Sequence, residues 1–335
     1  MNRFKKTTEV ILTVLLVLGL VVPLTAHGQE VFNAPAGFPP PPLNPTGVRL
    51  ETKEMAPGVY ALLSSKPPVD NSGFVVGERG VLVIDAHING DMARQIQEAV
   101  RQVTTKPILY LVNTNYHGDH TFGNYAFPAE TRIVAHRKTA ERMRDFDHEK
   151  EFLLQTVDND PTVYADVRLR LPDVVFDDHL SLDLGGRVVE LYNFGPGNTP
   201  GDTVVYVPEP KVAWTGNLIL GGGLIPFLIE GGAGNYLETI ARFARTLEVE
   251  VIVPGHGPMT SGAIFGRYLR YLSELIDSVR QATRAGRTLE ETLARTHLAD
   301  QYTPPPDSPL ARLGSFITSV HRWNVQQTYK EVNGR

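Results

Sequence analysis

Two histidines and an aspartate lie within four residues of one another in the polar stretch at residues 113–124. They are His117, Asp119 and His120. Imidazole nitrogens and carboxylate oxygens together form a donor set that zinc binds well. Alternate residues of an extended loop point the same way, so Asn115, His117 and Asp119 are expected to converge while His120 points elsewhere. A polar turn that contains a histidine pair is the alternative interpretation of these residues alone.

The elements that must position this stretch alternate between strands and helices. An apolar run at residues 108–112 predicts a buried strand, and loops at strand ends are where rigid scaffolds hold site residues. Asn235 with Glu238 three residues later predicts a capping box at a helix start. Further strands are predicted at residues 59–64, 74–76, 81–84, 132–135, 174–176, 180–184, 188–193, 204–207, 212–214 and 250–253. Helices are predicted at residues 91–103, from 235 to 247, and at 264–279, 287–297 and 310–331. The pattern is typical of an α/β fold.

Composition narrows the chemistry further. The chain has 335 residues, of which 42% are hydrophobic and 21% charged, with a net charge of -5. It is long enough for one large domain or two modest ones. No basic cluster favours nucleic acid as a partner, and a small-molecule substrate is expected. Cysteine is absent, which excludes disulfides, thiolate ligands and cysteine nucleophiles.

The N-terminal segment has the pattern of a secretory signal peptide. Basic residues precede an apolar run at residues 10–22 and a small-residue stretch at 26–28. Residues 1–28 are therefore predicted to be a signal peptide, and the mature protein is expected to be periplasmic or secreted and not bound to a membrane. A retained membrane anchor is the alternative. Residues 29–46 are proline-rich and predict a linker or surface arm.

The polar stretch resembles the H-x-H-x-D-H motif of the metallo-β-lactamase superfamily. Further motifs follow in the family's order across residues 58–258. They are Asp85 at a strand end and the runs at 195–203 (GPGNTPGDT), 215–218 (TGNL) and 254–257 (PGHG). The resemblance implies a four-layer αββα sandwich at residues 47–260, followed by a C-terminal helical extension at 261–335 packed on that domain.

The family's metal ligands are only partly retained. The positions that correspond to its second metal site hold Asp119, His120 and His256. The first-site positions hold Asn115, His117 and Asn198, and Asn217 stands where an aspartate bridges the two metals. A neutral amide is a poor zinc ligand, so the resemblance implies one Zn²⁺ per chain, held by Asp119, His120 and His256.

The resemblance implies hydrolysis by a one-metal enzyme. Zinc at this site would lower the pKa of a bound water to about 7. His117 would act as a general base, and His117 and Asp119 would be the catalytic residues. The carbonyl attacked would belong to an ester, thioester, lactone or lactam. The Asn115-Tyr116-His117 start also resembles the mono-zinc carbapenemase subclass, although that subclass has His in place of Asn198 and Cys in place of Asn217.

Two alternatives remain open. In the first, the protein is a catalytically degraded binding protein with little or no metal, in which the asparagine amides pair with one another and with His117. In the second, iron or manganese replaces zinc and the chemistry differs.

Other polar residues have structural or solvated roles in this interpretation. Asp85 is expected to order the ligand loops through hydrogen bonds. Asp202 and His136 are predicted to be structural. Three histidines without a partner at ligand spacing are predicted to be solvated: His87, His148 and His179. Residues 221–228 lack a phosphate-loop lysine and predict an apolar wall of the substrate pocket.

Overall fold

The computed structural model describes residues 38–304, 306–308 and 310–334. Two sheets carry the fold. The predicted signal peptide lies outside the described residues, as do residues 29–37 of the predicted linker.

The first sheet has seven strands in the order in which they occur along the chain. They are β1 (Leu50–Ala56), β2 (Val59–Ser64), β3 (Ser72–Val76), β4 (Val81–Ile84), β5 (Ile108–Asn113), β6 (Arg132–His136) and β7 (Val174–Phe176). Strands β1 to β4 pair antiparallel, and β4 to β7 pair parallel. The parallel half therefore places the carboxyl ends of β4 and β5 side by side, where loops can carry a site.

The second sheet has five strands in the order β12-β11-β10-β9-β8. They are β8 (His179–Asp183), β9 (Val188–Tyr192), β10 (Val204–Val207), β11 (Val212–Trp214) and β12 (Val251–Val253). Only the β11–β12 pair is parallel, and the other pairs are antiparallel.

The described residues form eight α-helices. They are α1 (Gly90–Val103), α2 (Gly118–Thr121), α3 (Arg137–Arg142), α4 (Phe146–Leu154), α5 (Ala233–Thr246), α6 (Ile264–Arg284), α7 (Leu289–Leu293) and α8 (Gly314–Val332). None of the helices within the described ranges combines the length and the apolarity that crossing a bilayer requires.

Three apolar cores define the four layers. Ile84 and Val112 of the first sheet meet Val205 of the second in the core between the sheets. Helix α1 packs on the other side of the first sheet, while α5, α6 and α8 share a core with the second sheet. The predicted αββα sandwich with a C-terminal helical extension is confirmed.

One local prediction is wrong. Helix α5 begins at Ala233 after Gly232, so Asn235 and Glu238 lie inside the helix and form no capping box. The first buried positions of the helix, Ala233 and Tyr236, already face the core, so burial starts the helix three residues earlier than the cap signal indicates.

Candidate metal centre

The predicted polar stretch begins where strand β5 ends, but it does not continue as an extended loop. Residues 118–121 form one helical turn, preceded by His117. Successive side chains of a helix lie about 100° apart, so the alternation expected of an extended chain does not apply. The prediction that His120 points away from Asp119 is wrong, because the turn directs both into the same group.

Four side chains offer donor atoms that all lie within 4.8 Å of one another: Asp70, Asp119, His120 and His256. Asp119 Oδ2 lies 3.4 Å from His256 Nε2 and 3.9 Å from His120 Nε2. Asp70 Oδ1 lies 3.5 Å from His120 Nε2. The sequence-predicted trio therefore comes together, with one more carboxylate beside it.

Asp70 was missed by the sequence analysis. It lies in the loop between β2 and β3, is 1% exposed, and neither of its carboxylate oxygens has a hydrogen-bond partner among the described residues. A buried carboxylate without partners is costly unless a cation or proton accompanies it. Asp70 thus fits the donor set of a cation site, although no motif in the sequence distinguishes it.

The imidazoles are held in one orientation by groups behind them. His120 Nδ1 lies 2.9 Å from Asp85 Oδ2, and His256 Nδ1 lies 2.7 Å from the Pro68 carbonyl. Asp85 also accepts hydrogen bonds from the backbone and hydroxyl of Thr114, so it orders this loop as predicted. Such partners fix the tautomer of each ring and leave its Nε2 facing the other donor atoms of this four-residue group.

A glycine permits the close approach of the last motif. A Cβ on Gly255 would lie 2.8 Å from Cε1 of His120, which is too short for real contacts. The PGHG run therefore needs glycine at this position to bring His256 next to His120.

The charges in the group call for a cation. Burial and repulsion from Asp119 raise the pKa of Asp70 well above its usual value. Burial opposes ionisation of Asp119, but His120 and His256 hold its pKa below its usual value. Burial would lower the pKa of His120, yet Asp85 and Asp119 raise it well above its usual value. Two carboxylates and two imidazoles face one another at these distances, so the residues present fit a metal ion.

The first-site positions form a different environment. Asn115 Oδ1 accepts from the backbone nitrogen of His117 (2.8 Å), and Asn198 Nδ2 donates to the Phe227 carbonyl (2.8 Å). Asn217 Oδ1 lies 3.0 Å from His120 Nε2. Each amide makes its own contact with the protein, and the first-site positions retain a single imidazole, that of His117.

His117 is paired with Glu149, a second residue that the sequence analysis missed. Its Nδ1 lies 3.0 Å from Glu149 Oε1, and both side chains are buried. Nε2 of His117 is buried without a partner among the described residues. Glu149 lies on α4 in a run of charged residues that looks solvated in the sequence, so no signal singled it out.

Two further structural predictions are confirmed. Asp202 accepts hydrogen bonds from Asn198 and Thr199 of its own turn, and burial raises its pKa to about 6. His136 accepts from the Lys138 backbone nitrogen and begins α3.

Of the three histidines predicted to be solvated, one is buried. His87 is 1% exposed, with Nε2 at 3.2 Å from the Asp70 carbonyl, so the prediction that it is solvated is wrong. Burial lowers its pKa to about 3. His179 is about half exposed and pairs with Glu190 at 2.7 Å. His148 is partly buried.

A pocket opens directly onto the group and is lined by His117, Asp119, Asn198, Asn217 and His256 at its polar end. Its apolar walls come from the proline-rich arm, the end of α4, the loop between β11 and α5, and the start of α8. Leu224 and Phe227 of the predicted wall line it. Ile225 and Leu228 lie instead in the core beneath.

Comparison with known families identifies the fold. The profile of the metallo-beta-lactamase superfamily matches residues 67–256. The chain belongs to this superfamily. The match spans every side chain of the four-residue group.

Two curated relatives share the matched region. The human protein named acyl-coenzyme A thioesterase MBLAC2 is 26% identical over 176 residues, which cover 48% of this chain and 60% of that protein. The 2,4-dinitroanisole O-demethylase subunit alpha of Nocardioides sp. (strain JS1661) is 23% identical over 184 residues, which cover 54% of this chain and 51% of that protein. The chain spans between half and two thirds of the length of each.

Solved structures agree with the fold. A metallo-beta-lactamase from Pontibacter korlensis superposes with a TM-score of 0.55 at 19% identity, covering 67% of this chain and 99% of that one. TMB-1 superposes with a TM-score of 0.54 at 17% identity, covering 68% of this chain and 98% of that one. At these identities the likeness shows the fold alone.

Proposed function

We propose that the protein is a hydrolase that uses a single zinc ion to add water to a carbonyl group. The observation that carries the proposal is the convergence of four donor side chains, three of them buried, with donor atoms within 4.8 Å of one another beside a pocket. Asp119, His120 and His256 would hold the ion, and Asp70 would add a second carboxylate whose charge offsets the dication.

The chain's own residues supply the rest of the chemistry. Zinc, when bound, provides a Lewis acid that activates water and polarises a carbonyl oxygen. Glu149 orients the His117 ring by its contact with Nδ1, and it raises the pKa of His117 although burial alone would lower it. His117 lines the pocket and is placed to take the proton of the attacking water. Water then splits an ester into an acid and an alcohol.

The bond class is proposed as an ester, thioester, lactone or lactam. The relative named as an acyl-coenzyme A thioesterase supports a carbonyl substrate. The superfamily alone does not select among these bonds, because one fold serves many substrates.

The test is metal analysis of the purified full chain alongside an ester hydrolysis assay. We expect about one zinc per chain, since a site of three strong ligands binds zinc at neutral pH. His256→Ala should lose both the metal and the activity, while His179→Ala on strand β8 should keep both. Two zinc ions per chain in the wild type would contradict a single-metal centre, and iron or manganese in place of zinc would redirect the chemistry.

A binding protein without metal is the second candidate, and one contact favours it. Asn217 Oδ1 lies 3.0 Å from His120 Nε2, so the amide can pair with a protonated imidazole where an ion would otherwise lie. Zinc near zero per chain, even after addition of the metal, would support this function and remove the hydrolase.

We also propose that the protein is exported, with the signal peptide at residues 1–28 removed. The basic and apolar segments of the N-terminus support this. N-terminal sequencing of the protein from cell fractions tests it: a mature chain that begins near residue 29 is expected, and an intact Met1 in every fraction would contradict cleavage.

A further inference from the structure

The walls of the pocket come from separate parts of the chain and meet in an aromatic cluster. The Phe38 ring stacks on Phe227 with centroids 5.8 Å apart and planes 12° apart. Phe316 meets both rings edge-on, at 6.0 and 6.2 Å. One ring comes from the arm, one from the loop before α5 and one from α8. Aromatic faces and edges of this kind bind flat or aliphatic apolar groups.

The arm wall is anchored. Leu43 is 3% exposed, and its backbone nitrogen donates to the Thr156 carbonyl at 2.8 Å. Asn44 Nδ2 donates to Asp158 Oδ2 at 2.8 Å. The arm is thus a built wall of the pocket.

Apart from the imidazoles and the proposed zinc ion at its polar end, the described lining contains no counter-charge for an anion. Lysine and arginine are absent from it, and its one carboxylate is that of Asp119. The nearby Arg312 donates to the Pro67 carbonyl at 2.9 Å, and Arg142 pairs with Glu230. A buried anion needs a paired cation to offset its lost hydration.

Two side chains at the polar end keep a buried atom without a partner among the described residues. Asn198 uses its Nδ2 on the Phe227 carbonyl, so its unpaired atom is Oδ1. His117 uses Nδ1 on Glu149, so its unpaired atom is Nε2. A carboxylate presents acceptors only and would find no donor in the Asn198 oxygen.

We propose that the pocket takes an uncharged, apolar acyl or aryl group and selects against substrates that carry a carboxylate on it. The inference rests on the proposed hydrolase for its catalytic readout and on the pocket alone for its binding readout. Neutral esters of medium-chain or aromatic acids are the substrate class. Carboxylate-bearing lactams are disfavoured.

A matched pair of esters tests the selectivity. p-Nitrophenyl hexanoate and the mono-p-nitrophenyl ester of adipic acid have the same six-carbon acyl chain, and only the second ends in a carboxylate. We expect kcat/KM of the zinc-loaded chain to favour the hexanoate by at least about 10-fold, because the buried anion lacks a partner. Equal values, or a preference for the adipate ester, would overturn the proposal.

Substitutions of Phe316 test whether the acyl group lies against this wall. Phe316→Ala should lower kcat/KM for the hexanoate ester by about 10-fold and leave the acetate ester nearly unchanged, because only the longer chain reaches the ring. Phe316→Lys should supply a cation and shift the preference toward the adipate ester. Val175→Ala, at an exposed position on strand β7, is the control and should change neither value. Phe316→Lys with an unchanged preference would place the acyl chain elsewhere. Thermal melts of each variant separate these outcomes from loss of the fold.

A binding assay separates this proposal from the hydrolase itself. The neutral fluorescent probe N-phenyl-1-naphthylamine should bind the wild type, and 2-octanone should displace it at least about 10-fold more effectively than 7-oxooctanoate. If no ester is hydrolysed but this displacement pattern holds, the hydrolase fails and the pocket inference stands. If esters are hydrolysed but both ketones displace the probe equally, the pocket inference fails and the hydrolase stands.

Discussion

Asparagine and histidine differ in how strongly their side chains bind zinc. An amide has no basic lone pair comparable to that of imidazole, so it binds zinc weakly. Asn115 and Asn198 nevertheless fit their positions, since each makes a hydrogen bond at 2.8 Å to the backbone nearby. Both amides are therefore accommodated by hydrogen bonds at positions where the family resemblance places histidine.

Restoring those donors should restore a second ion. The triple variant Asn115→His, Asn198→His, Asn217→Asp would give the first site three imidazoles and a bridging carboxylate. We expect metal analysis to rise from about one to about two zinc ions per chain, because three histidines form a complete catalytic zinc site.

Asn198→His alone is the matched control and should stay near one ion per chain, because together with His117 it gives the first site only two of the three imidazoles. A triple variant that still holds a single ion, with its fold intact by circular dichroism, would mean that the backbone at these positions has moved out of reach.

At the level of elements, one buried side chain joins the loop after β2 to the loop after β12. Asn71 Oδ1 accepts from the Ser64 backbone, and its Nδ2 donates to the carbonyls of Pro254 and Gly257. These bonds flank His256 on one side and Asp70 on the other. This amide therefore helps to hold the loop of Asp70 against the loop of His256.

Asn71→Ala should therefore affect both stability and metal. The change leaves buried backbone groups of both loops unpaired, and we expect a loss of about 2–4 kcal/mol in the free energy of unfolding by urea titration. Zinc affinity should fall as well, because the loops no longer hold their spacing. Asn44→Ala, in the exposed bond to Asp158, should cost less than about 1 kcal/mol. A stable Asn71→Ala protein with unchanged zinc affinity would assign the spacing to other contacts.

The sequence predicted elements well where burial gives a clear pattern. The predicted bounds match those of strands β2, β4, β10 and β11, whose residues are mostly or wholly buried. Strand β1 was not predicted, because most of its residues are exposed and polar. Single-turn helices such as α2 are shorter than any periodic signal, and this is why the direction of His120 was predicted wrongly.

The residues of the candidate site also divide into those that the sequence predicts and those that it does not. Asp119, His120 and His256 are in motifs and could be found from the sequence. Asp70 and Glu149 act through contacts between segments distant along the chain, and such contacts have no local signature. Glu149 lies 32 residues from His117, and its helix position becomes informative only once α4 packs against the motif.

At the scale of the whole molecule, the C-terminal helices complete the core of the second sheet. His321 of α8 lies in that core, 2% exposed. Its Nδ1 lies 3.0 Å from the Tyr271 hydroxyl on α6, and its Nε2 lies 3.0 Å from the Thr296 carbonyl. A neutral ring satisfies both, accepting at Nδ1 and donating at Nε2. Burial lowers the pKa of His321 below its usual value of 6.5.

This makes stability depend on pH in a defined direction. The unfolded chain protonates His321 below pH 6.5, while the folded chain resists protonation, so stability is full above that pH and is lost as the pH falls. Unfolding free energies measured by urea between pH 5 and 8 should show His321 contributing up to about 1.4 kcal/mol per pH unit below its usual pKa.

His321→Gln isolates that contribution. The variant should be less stable at pH 8 and have a shallower pH dependence than the wild type, whereas His179→Gln on the exposed face of β8 should leave the slope as it is. Parallel curves for His321→Gln and the wild type would mean that the folded protein protonates this ring as readily as the unfolded chain does.

The location of the four-residue group between the two halves of the sandwich has a consequence for the stability of the fold. Asp119 and His120 follow a strand of one sheet, while His256 follows a strand of the other. A cation shared by them would cross-link points 136 residues apart, as the numbering of His120 and His256 gives. Because the assembled site exists only in the folded chain, binding of the ion would add its free energy to the stability of the fold. The protein has no cysteine and therefore no disulfide. The ion would link its two sheets through coordinate bonds.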